Sequence, residues 1–220
     1  MTSDEWTLVF IFSSGIGILI ARLLWDRSAL RVYKNIANQY SWRYEENVSS
    51  IPHSRATEIS PEDADVVTGE VGPAVLGEYN SKKFMLLKHT EDIEGRRGWT
   101  HFTLISSPHK GISGEVYISK DGLFAKMFEL KDIPLGDSTF DSMFRIECSL
   151  DPAKLKDLLD IGIRQKLISL LSRDRWRNFG TLEINQKEVV FVKERKIIDR
   201  NFLLAVIDLV TSLANNIDKY

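Results

Sequence analysis

The sequence is short of cysteine, since its 220 residues contain only Cys148. Because a disulfide joins two cysteines, no intramolecular bridge can form, and a domain of this size can build a sufficient core without one. The absence of cystines fits a reducing compartment. We interpret Cys148 as a small core residue, because no base that would activate it as a nucleophile is recognisable.

Motifs that carry catalysis are also absent. The glycines form neither a GxGxxG nor a GxxxxGK phosphate loop, and no HExxH or GxSxG sequence occurs. Charge is nearly balanced, with 29 Lys and Arg against 31 Asp and Glu, so no basic excess favours nucleic acid. The sequence therefore identifies no catalytic, cofactor-binding or metal-binding residue, no cofactor and no nucleic-acid partner.

One long apolar run is present at residues 6–25, bracketed by Trp6 and Trp25. Twenty helical residues rise about 30 Å, the thickness of the hydrocarbon core, and tryptophans favour its two interfaces. The one charge of the run, Arg22, lies near its end, where a long side chain can reach the headgroups. The run therefore predicts a membrane-spanning helix; acidic residues before it disfavour a signal peptide, and the small chain disfavours a buried core helix.

Positive charge is distributed unevenly about this run. No Lys or Arg precedes it, whereas five lie at or beyond its C-terminal end: Arg22, Arg27, Arg31, Lys34 and Arg43. The positive-inside rule then predicts a single-pass protein of the cell membrane with a cytoplasmic C-terminal domain. Within the bilayer, a protein partner or a second copy could dock on three small residues spaced by four: Ser13, Gly17 and Ala21.

The rest of the chain has the mixed periodicities of an α+β domain. We predict a membrane anchor at 1–26, a juxtamembrane helix at 27–46, a loop, and a soluble domain of unknown function at 66–220. Runs rich in β-branched and aromatic residues predict strands at residues 74–79, 83–90, 99–106, 114–119, 123–129, 144–149, 181–184 and 188–192. Short polar turns join pairs of these runs into hairpins, at residues 80–82, 120–122 and 185–187.

Two amphipathic helices follow from apolar stripes with spacings of three and four. Asp151 and Pro152 fit the N-cap and first position of a helix that extends to about Ser172. A second helix is predicted from about Ile198 to Ile217, and its charges exclude a second membrane span. The predicted fold class is α+β: an N-terminal transmembrane helix, followed by a soluble domain in which an antiparallel sheet of six to eight strands packs against two amphipathic helices.

Two groups of residues could carry chemistry. If the strands that contain them form a symmetric hairpin, His89 faces His101, and the two imidazoles could share a metal ion. We favour two ordinary surface histidines, because zinc normally takes three or four ligands. The acidic cluster Asp132, Asp137 and Asp141 could bind a divalent ion or supply an acid and a base, but we favour turns in which each Asp bonds nearby backbone.

Two basic clusters are diluted by acidic neighbours. One comprises Arg173, Arg175 and Arg177 around Trp176, and the other comprises Lys193, Arg195, Lys196 and Arg200. Solvated charged faces are the favoured interpretation. The alternative is a surface for anionic lipid headgroups, which attract clustered Lys and Arg.

The segment from Gly136 to Leu159 resembles a motif of uncharacterised, membrane-anchored prokaryotic proteins. The matching features are Gly136-Asp137, Phe140-Asp141, Phe144, a short strand, and a helix ending in the pair Leu158-Leu159. The resemblance covers residues 120–215 loosely, together with the anchor. It implies an anchored domain of unknown function and carries over no catalytic residue.

The favoured function is a membrane-tethered interaction or scaffolding module on the cytoplasmic face, without catalysis. One alternative is an enzyme with a dispersed site, which requires His89, His101, Asp137 and Asp141 to converge in one pocket. The other is a sensor of anionic lipid headgroups, which requires the basic clusters to face a bilayer.

Overall fold

A computed structural model describes residues 29–46, 70–92, 99–120, 133–173 and 180–219 of the chain. These residues form one antiparallel sheet of eight strands and five helices. The strands are β1 (Arg43–Glu45), β2 (Glu70–Tyr79), β3 (Lys82–Asp92), β4 (Trp99–Pro108), β5 (Val116–Ser119), β6 (Arg145–Cys148), β7 (Thr181–Ile184) and β8 (Glu188–Glu194). The helices are α1 (residues 29–40), α2 (Ser138–Asp141), α3 (Pro152–Leu158), α4 (Ile161–Arg173) and α5 (Arg200–Ile217).

The strand order is β1-β2-β3-β4-β8-β7-β5-β6, so the first four strands form a meander and β5 lies between β7 and β6. The predicted hairpins at residues 80–82 and 185–187 are confirmed, because β2 pairs with β3 and β7 pairs with β8. Asn80 and Ser81 turn the first hairpin with φ of 51° and 58°, a left-handed conformation that asparagine adopts more readily than most residues. The predicted strand at 123–129 lies outside the described residues.

One face of the sheet carries the main core. The two-residue alternation of the strands directs side chains such as Leu86, Ile105 and Phe191 to this face, where helices α1, α3, α4 and α5 add their apolar stripes. The opposite face carries a smaller buried apolar cluster made of Ala74, Leu87, Phe102, Leu104, Val190 and Val192. Most of the described strands are therefore buried on both faces.

The helix predicted to run from Asp151 to about Ser172 is in fact two helices. Its predicted start is confirmed, because the Asp151 carboxylate accepts the Ala153 N–H at 2.9 Å and Pro152 follows. The first helix ends at Leu158, and the Asp160 carboxylate then accepts the Ile163 N–H at 2.8 Å, which caps the second. Periodicity alone could not show this break, because the apolar stripe continues on both sides of it.

The predicted fold class needs correction in two respects. The described residues contain five helices, where two amphipathic helices were expected to cover the sheet. Within the described ranges, no helix is both long and apolar enough to cross a bilayer. For the described residues, the expected fold class of a transmembrane helix and a single-pass protein is therefore replaced by an eight-stranded antiparallel sheet and five helices. The apolar run at 6–25, with its small residues Ser13, Gly17 and Ala21, lies outside the described residues.

The short helix α2 forms a corner that holds two aromatic anchors. Asp137 caps the helix by accepting the Phe140 N–H at 3.2 Å, and Gly136 before it has a φ of +81°. The Phe140 and Phe144 rings stack with centroids 4.9 Å apart, and both side chains are buried. The expectation that these two aromatics anchor the core is thus confirmed.

We predict that Phe140→Ala or Phe144→Ala lowers the free energy of unfolding by about 3–5 kcal/mol, because each change removes a buried ring and leaves a cavity. Urea denaturation of the two variants would measure this loss. Thr139→Ala is the matched control, since Thr139 is exposed on the same helix and should change the value by less than about 0.5 kcal/mol. A Phe140→Ala curve that superimposes on the Thr139→Ala curve would contradict the assignment.

Candidate functional site

A cleft between α4 and α5 is a concave surface built from the described residues. One cavity of about 620 Å³ lies over the N-terminal half of α5, and a second of about 400 Å³ lies beside α4. Both cavities are lined by Arg173, Ala205 and Asp208, so they form one continuous surface. We call it the α4–α5 cleft.

Helical spacing explains which residues line this cleft. Helix α4 contributes residues at positions three, four, seven and eleven from the first, so they share one face: Gly162, Gln165, Lys166, Ser169 and Arg173. Of the α5 residues that line the cleft, four have the same kind of spacing: Asn201, Leu204, Ala205 and Asp208. The cleft is therefore the seam between two helices whose other faces are occupied by the core.

Apolar side chains form a strip along the cleft, its floor, between polar residues. Leu204 and Ala205 are partly exposed along α5, beside the buried Leu170 of α4. Gly162 and Ser169 leave the α4 wall low. A floor of this kind accommodates another apolar surface, and histidine and cysteine are both absent from the described lining residues.

The charged residues of the cleft differ in what they contact. Lys166 Nζ lies 2.7 Å from an Asp208 carboxylate oxygen and 2.7 Å from Ser212 Oγ. Asp199 caps α5 by accepting the Asn201 N–H at 2.8 Å. The Arg173 side chain, by contrast, forms no hydrogen bond or ion pair with the described part of the chain. The guanidinium of Arg173 is thus the one lining charge, among the described residues, left for a ligand.

An aromatic cluster borders the cleft on the side of the β2–β3 hairpin. The Trp42 ring packs edge-on against Phe84 at 4.6 Å and Tyr79 at 6.4 Å. Gly77 lies beneath the indole, where an added Cβ would come within 2.5 Å of the ring. Burial, with the nearby Asp208 carboxylate and Tyr40, raises the pKa of the Tyr79 hydroxyl, so Tyr79 enters the cleft as a neutral donor or acceptor.

The symmetric pairing that would set His89 opposite His101 is not formed, and the favoured interpretation as surface histidines is wrong for His89, which is buried. The register places His89 opposite Phe102 and His101 opposite Thr90, one residue from the symmetric pairing. Because side chains alternate along a strand, the two imidazoles project from opposite faces of the sheet. His101 Nδ1 instead lies 3.1 Å from Thr90 Oγ1. Within the described residues, no group of three His, Cys, Asp or Glu could hold a metal ion.

The acidic residues behave as turn formers. The Asp141 carboxylate accepts the Leu135 N–H at 3.0 Å and the Gly136 N–H at 2.9 Å, while Asp137 caps α2. Asp137 also receives the Arg164 guanidinium at 3.1 Å, an ion pair between α2 and α4 that the sequence did not indicate. Asp132 lies outside the described residues. The turn interpretation is confirmed for Asp137 and Asp141.

The second basic cluster is solvated only in part, since Arg195 and Arg200 are exposed. Lys193 and Lys196 are both buried, and Lys193 Nζ lies 5.2 Å above the ring of Phe202. Arg195 bends the backbone with a φ of 113° and donates its N–H to the His101 carbonyl at 2.6 Å. The solvated-face interpretation is therefore wrong for Lys193 and Lys196. Of the first cluster, Arg173 is exposed in the cleft, and Arg175, Trp176 and Arg177 lie outside the described residues.

The residues of the dispersed-site hypothesis do not converge. Asp137 and Asp141 lie at the α2 corner near the β6 edge, whereas His89 on β3 and His101 on β4 are separated from β6 by four and three strands. None of the four lines the α4–α5 cleft. Cys148 is buried, and burial raises the pKa of its thiol, which fits its interpretation as a core residue.

His109 is a partly buried histidine that sequence reasoning did not single out. Its Nε2 lies 3.0 Å from the Asn185 carbonyl oxygen, and its Nδ1 accepts the Gly111 N–H at 3.0 Å. This arrangement requires the neutral imidazole with the proton on Nε2. The pKa of His109 is lowered, chiefly by burial and also by the Lys82 ammonium. The hydrogen bond to Asn185 and the Asp218 carboxylate oppose this shift in the pKa but do not reverse it.

We predict that stability falls as the pH drops through the ordinary histidine pKa of 6.5. The unfolded chain binds this proton more readily than the folded chain, so acid favours unfolding. Urea unfolding at about pH 7.5 and about pH 5.5 gives the loss of unfolding free energy in the wild type and in His109→Gln. The other titrating groups are common to the two proteins, so the difference between the two losses reports on His109. The wild type should lose more stability, and an equal loss in the two proteins would contradict the prediction.

The comparisons with known proteins leave the family of the chain open. No protein-family model matches the sequence, and no curated protein matches it. Among solved structures, the chain resembles the crystal structure of the mycobacterial trehalose monomycolate transport factor A. The sequence identity is 12%, the TM-score is 0.46, and the match covers 88% of this chain and 94% of that chain. The resemblance to membrane-anchored prokaryotic proteins stays a prediction, and function has to be inferred from the geometry of this chain.

Proposed function

We propose that the chain is a non-catalytic interaction module that binds another protein through the α4–α5 cleft. The observation that supports this most is the combination of an apolar floor, at Leu204 and Ala205, with the free guanidinium of Arg173. Protein interfaces pair apolar contact area with a few polar anchors, and arginine is enriched among such anchors.

The chemistry of the cleft favours binding over catalysis. A general base or nucleophile works when its pKa is tuned and a second group lies within hydrogen-bond reach. The two aspartates among the described lining residues already have partners, because Asp199 caps α5 and Asp208 pairs with Lys166. The enzyme alternative also requires four residues to meet in one pocket, and they are spread over the sheet.

A sensor of anionic lipid headgroups is the less favoured alternative. That function needs several basic side chains on one exposed surface. Lys193 and Lys196 are buried, so they are not available for such a surface. The exposed Arg173 lies within a cleft whose other described cation, Lys166, is paired with Asp208.

We predict that a photo-crosslinking amino acid at Ser169 captures a protein partner in intact cells of the native host. Ser169 is exposed on the cleft wall, so an occupant of the cleft comes within reach. Ser172 is the matched control, being an exposed serine of α4 that is not among the described lining residues. Gel electrophoresis after irradiation should show a discrete adduct for position 169 and a much weaker one for position 172.

A second change tests whether the cleft itself is the binding surface. Leu204→Glu places a charge on the apolar floor and should abolish the position-169 adduct while leaving the protein folded, because Leu204 is partly exposed. Absence of any adduct at position 169, or equal adducts at 169 and 172, would refute the proposed function.

A further inference from the structure

We propose that the occupant of the α4–α5 cleft is an acidic amphipathic helix of the partner protein, an inference that rests on the proposed function. The cleft follows α4 from Gly162 to Arg173. At a rise of 1.5 Å per residue these positions are about 16 Å apart, which is about three helical turns. The cleft therefore has the length of a short helical segment.

The walls of the cleft favour a helix over an extended strand. Both walls are helices, which satisfy their own main-chain hydrogen bonds, so the described lining of the cleft offers no free sheet edge. A strand laid there would leave its N–H and C=O groups unpaired against an apolar floor, whereas a helix pairs them internally. Gly162, Ser169 and Ala205 are small and let a third helix approach closely.

The charges of the cleft favour an acidic occupant. Lys166 and Asp208 neutralise each other, and Asp199 is engaged at the start of α5. Of the described charges that line the cleft, the Arg173 guanidinium is the one without a hydrogen-bond partner, and a guanidinium can bind a carboxylate through two parallel hydrogen bonds. An occupant with apolar residues at helical spacing over Leu204 and Ala205, and with an Asp or Glu near Arg173, matches both features.

A displayed library of helical peptides tests this chemistry with the full-length chain. The library fixes four helical turns on a rigid scaffold and varies the residues of one face. Selection on the wild type is followed by depletion on Ser169→Trp, in which the exposed position on the cleft wall is filled by a large ring. The surviving clones should carry Asp or Glu at one end of an apolar stripe.

Charge reversal then locates the acidic contact. Arg173→Glu should weaken the selected helices about fivefold or more, since an exposed attraction becomes a repulsion, and Glu→Lys in the peptide should recover part of the loss. Arg145→Glu is the matched control, because Arg145 is exposed on β6 and its substitution changes the net charge by the same amount. This variant should bind the selected helices with a dissociation constant within twofold of the wild type. Fluorescence anisotropy of labelled peptides gives the dissociation constants.

The other outcomes separate this inference from the proposed function. Selected helices that lack an acid, or that bind Arg173→Glu as tightly as the wild type, would overturn the acidic helix while leaving an interaction module in place. A second outcome is that no helix is enriched and the position-169 crosslink forms within the chain or to a second copy of it. The cleft would then be occupied by the chain itself, and the partner helix would be overturned. No crosslink at all would overturn both.

Discussion

The contact of α5 with the sheet is the constraint on which the other helices depend. Ten of its residues are buried, and it packs against β2, β3, β4 and β8 on one side and against α3 and α4 on the other. Burial of each large apolar side chain contributes about 1.5–3 kcal/mol before the entropy of ordering is subtracted. Its polar side is fixed to the β2–β3 turn, where Asn80 Nδ2 donates to Asp208 at 2.9 Å and Asn215 Nδ2 donates to the Asn80 carbonyl at 2.8 Å. Helix α4 covers one side of α5 and the sheet covers another. The strip of α5 between them stays partly exposed, and this strip is the floor of the cleft.

A buried polar group holds the segment that leads into α5. Thr103 Oγ1 donates to the Arg195 carbonyl at 3.0 Å and accepts the Ile197 N–H at 3.2 Å, and the Tyr33 hydroxyl lies 3.3 Å from the same atom. Burial raises the pKa of Tyr33 to about 12, against a smaller opposing effect of Thr103, so the phenol stays neutral at physiological pH. One threonine of β4 thereby connects α1, the end of β8 and the start of α5. Paired polar groups in a core favour one arrangement over near alternatives, because a shift would leave a buried group unsatisfied.

Local features of the sequence were predictable, and those set by tertiary packing were not. The turn after Tyr79, the Asp151 cap and the stripe of α5 all follow from neighbours within a few residues. The break at Asp160 was missed because a cap and an interior aspartate look alike when the apolar stripe continues. A one-residue register difference at His89 moved its side chain to the opposite face. The Asp137–Arg164 ion pair and the burial of Lys193 depend on residues distant in sequence. The cleft could not be predicted, because it exists only where two helix faces meet.

The distribution of titratable groups supports the binding role that we propose for the cleft. In active sites, groups with displaced pKa values converge on one pocket. Here they are engaged elsewhere: Tyr33 with Thr103, Cys148 in the core, and His109 at the β4–β8 end. Burial would raise the pKa of Asp218, but bonds from Lys82 and the Lys110 N–H lower it below its usual value. Among the described residues that line the cleft, Tyr79 is the one whose pKa is displaced, and it is raised. A neutral phenol there can donate a hydrogen bond but is a poor base. A surface with an apolar floor, a phenol and one unpaired guanidinium is suited to recognising a partner through contact area and a carboxylate, without chemical change.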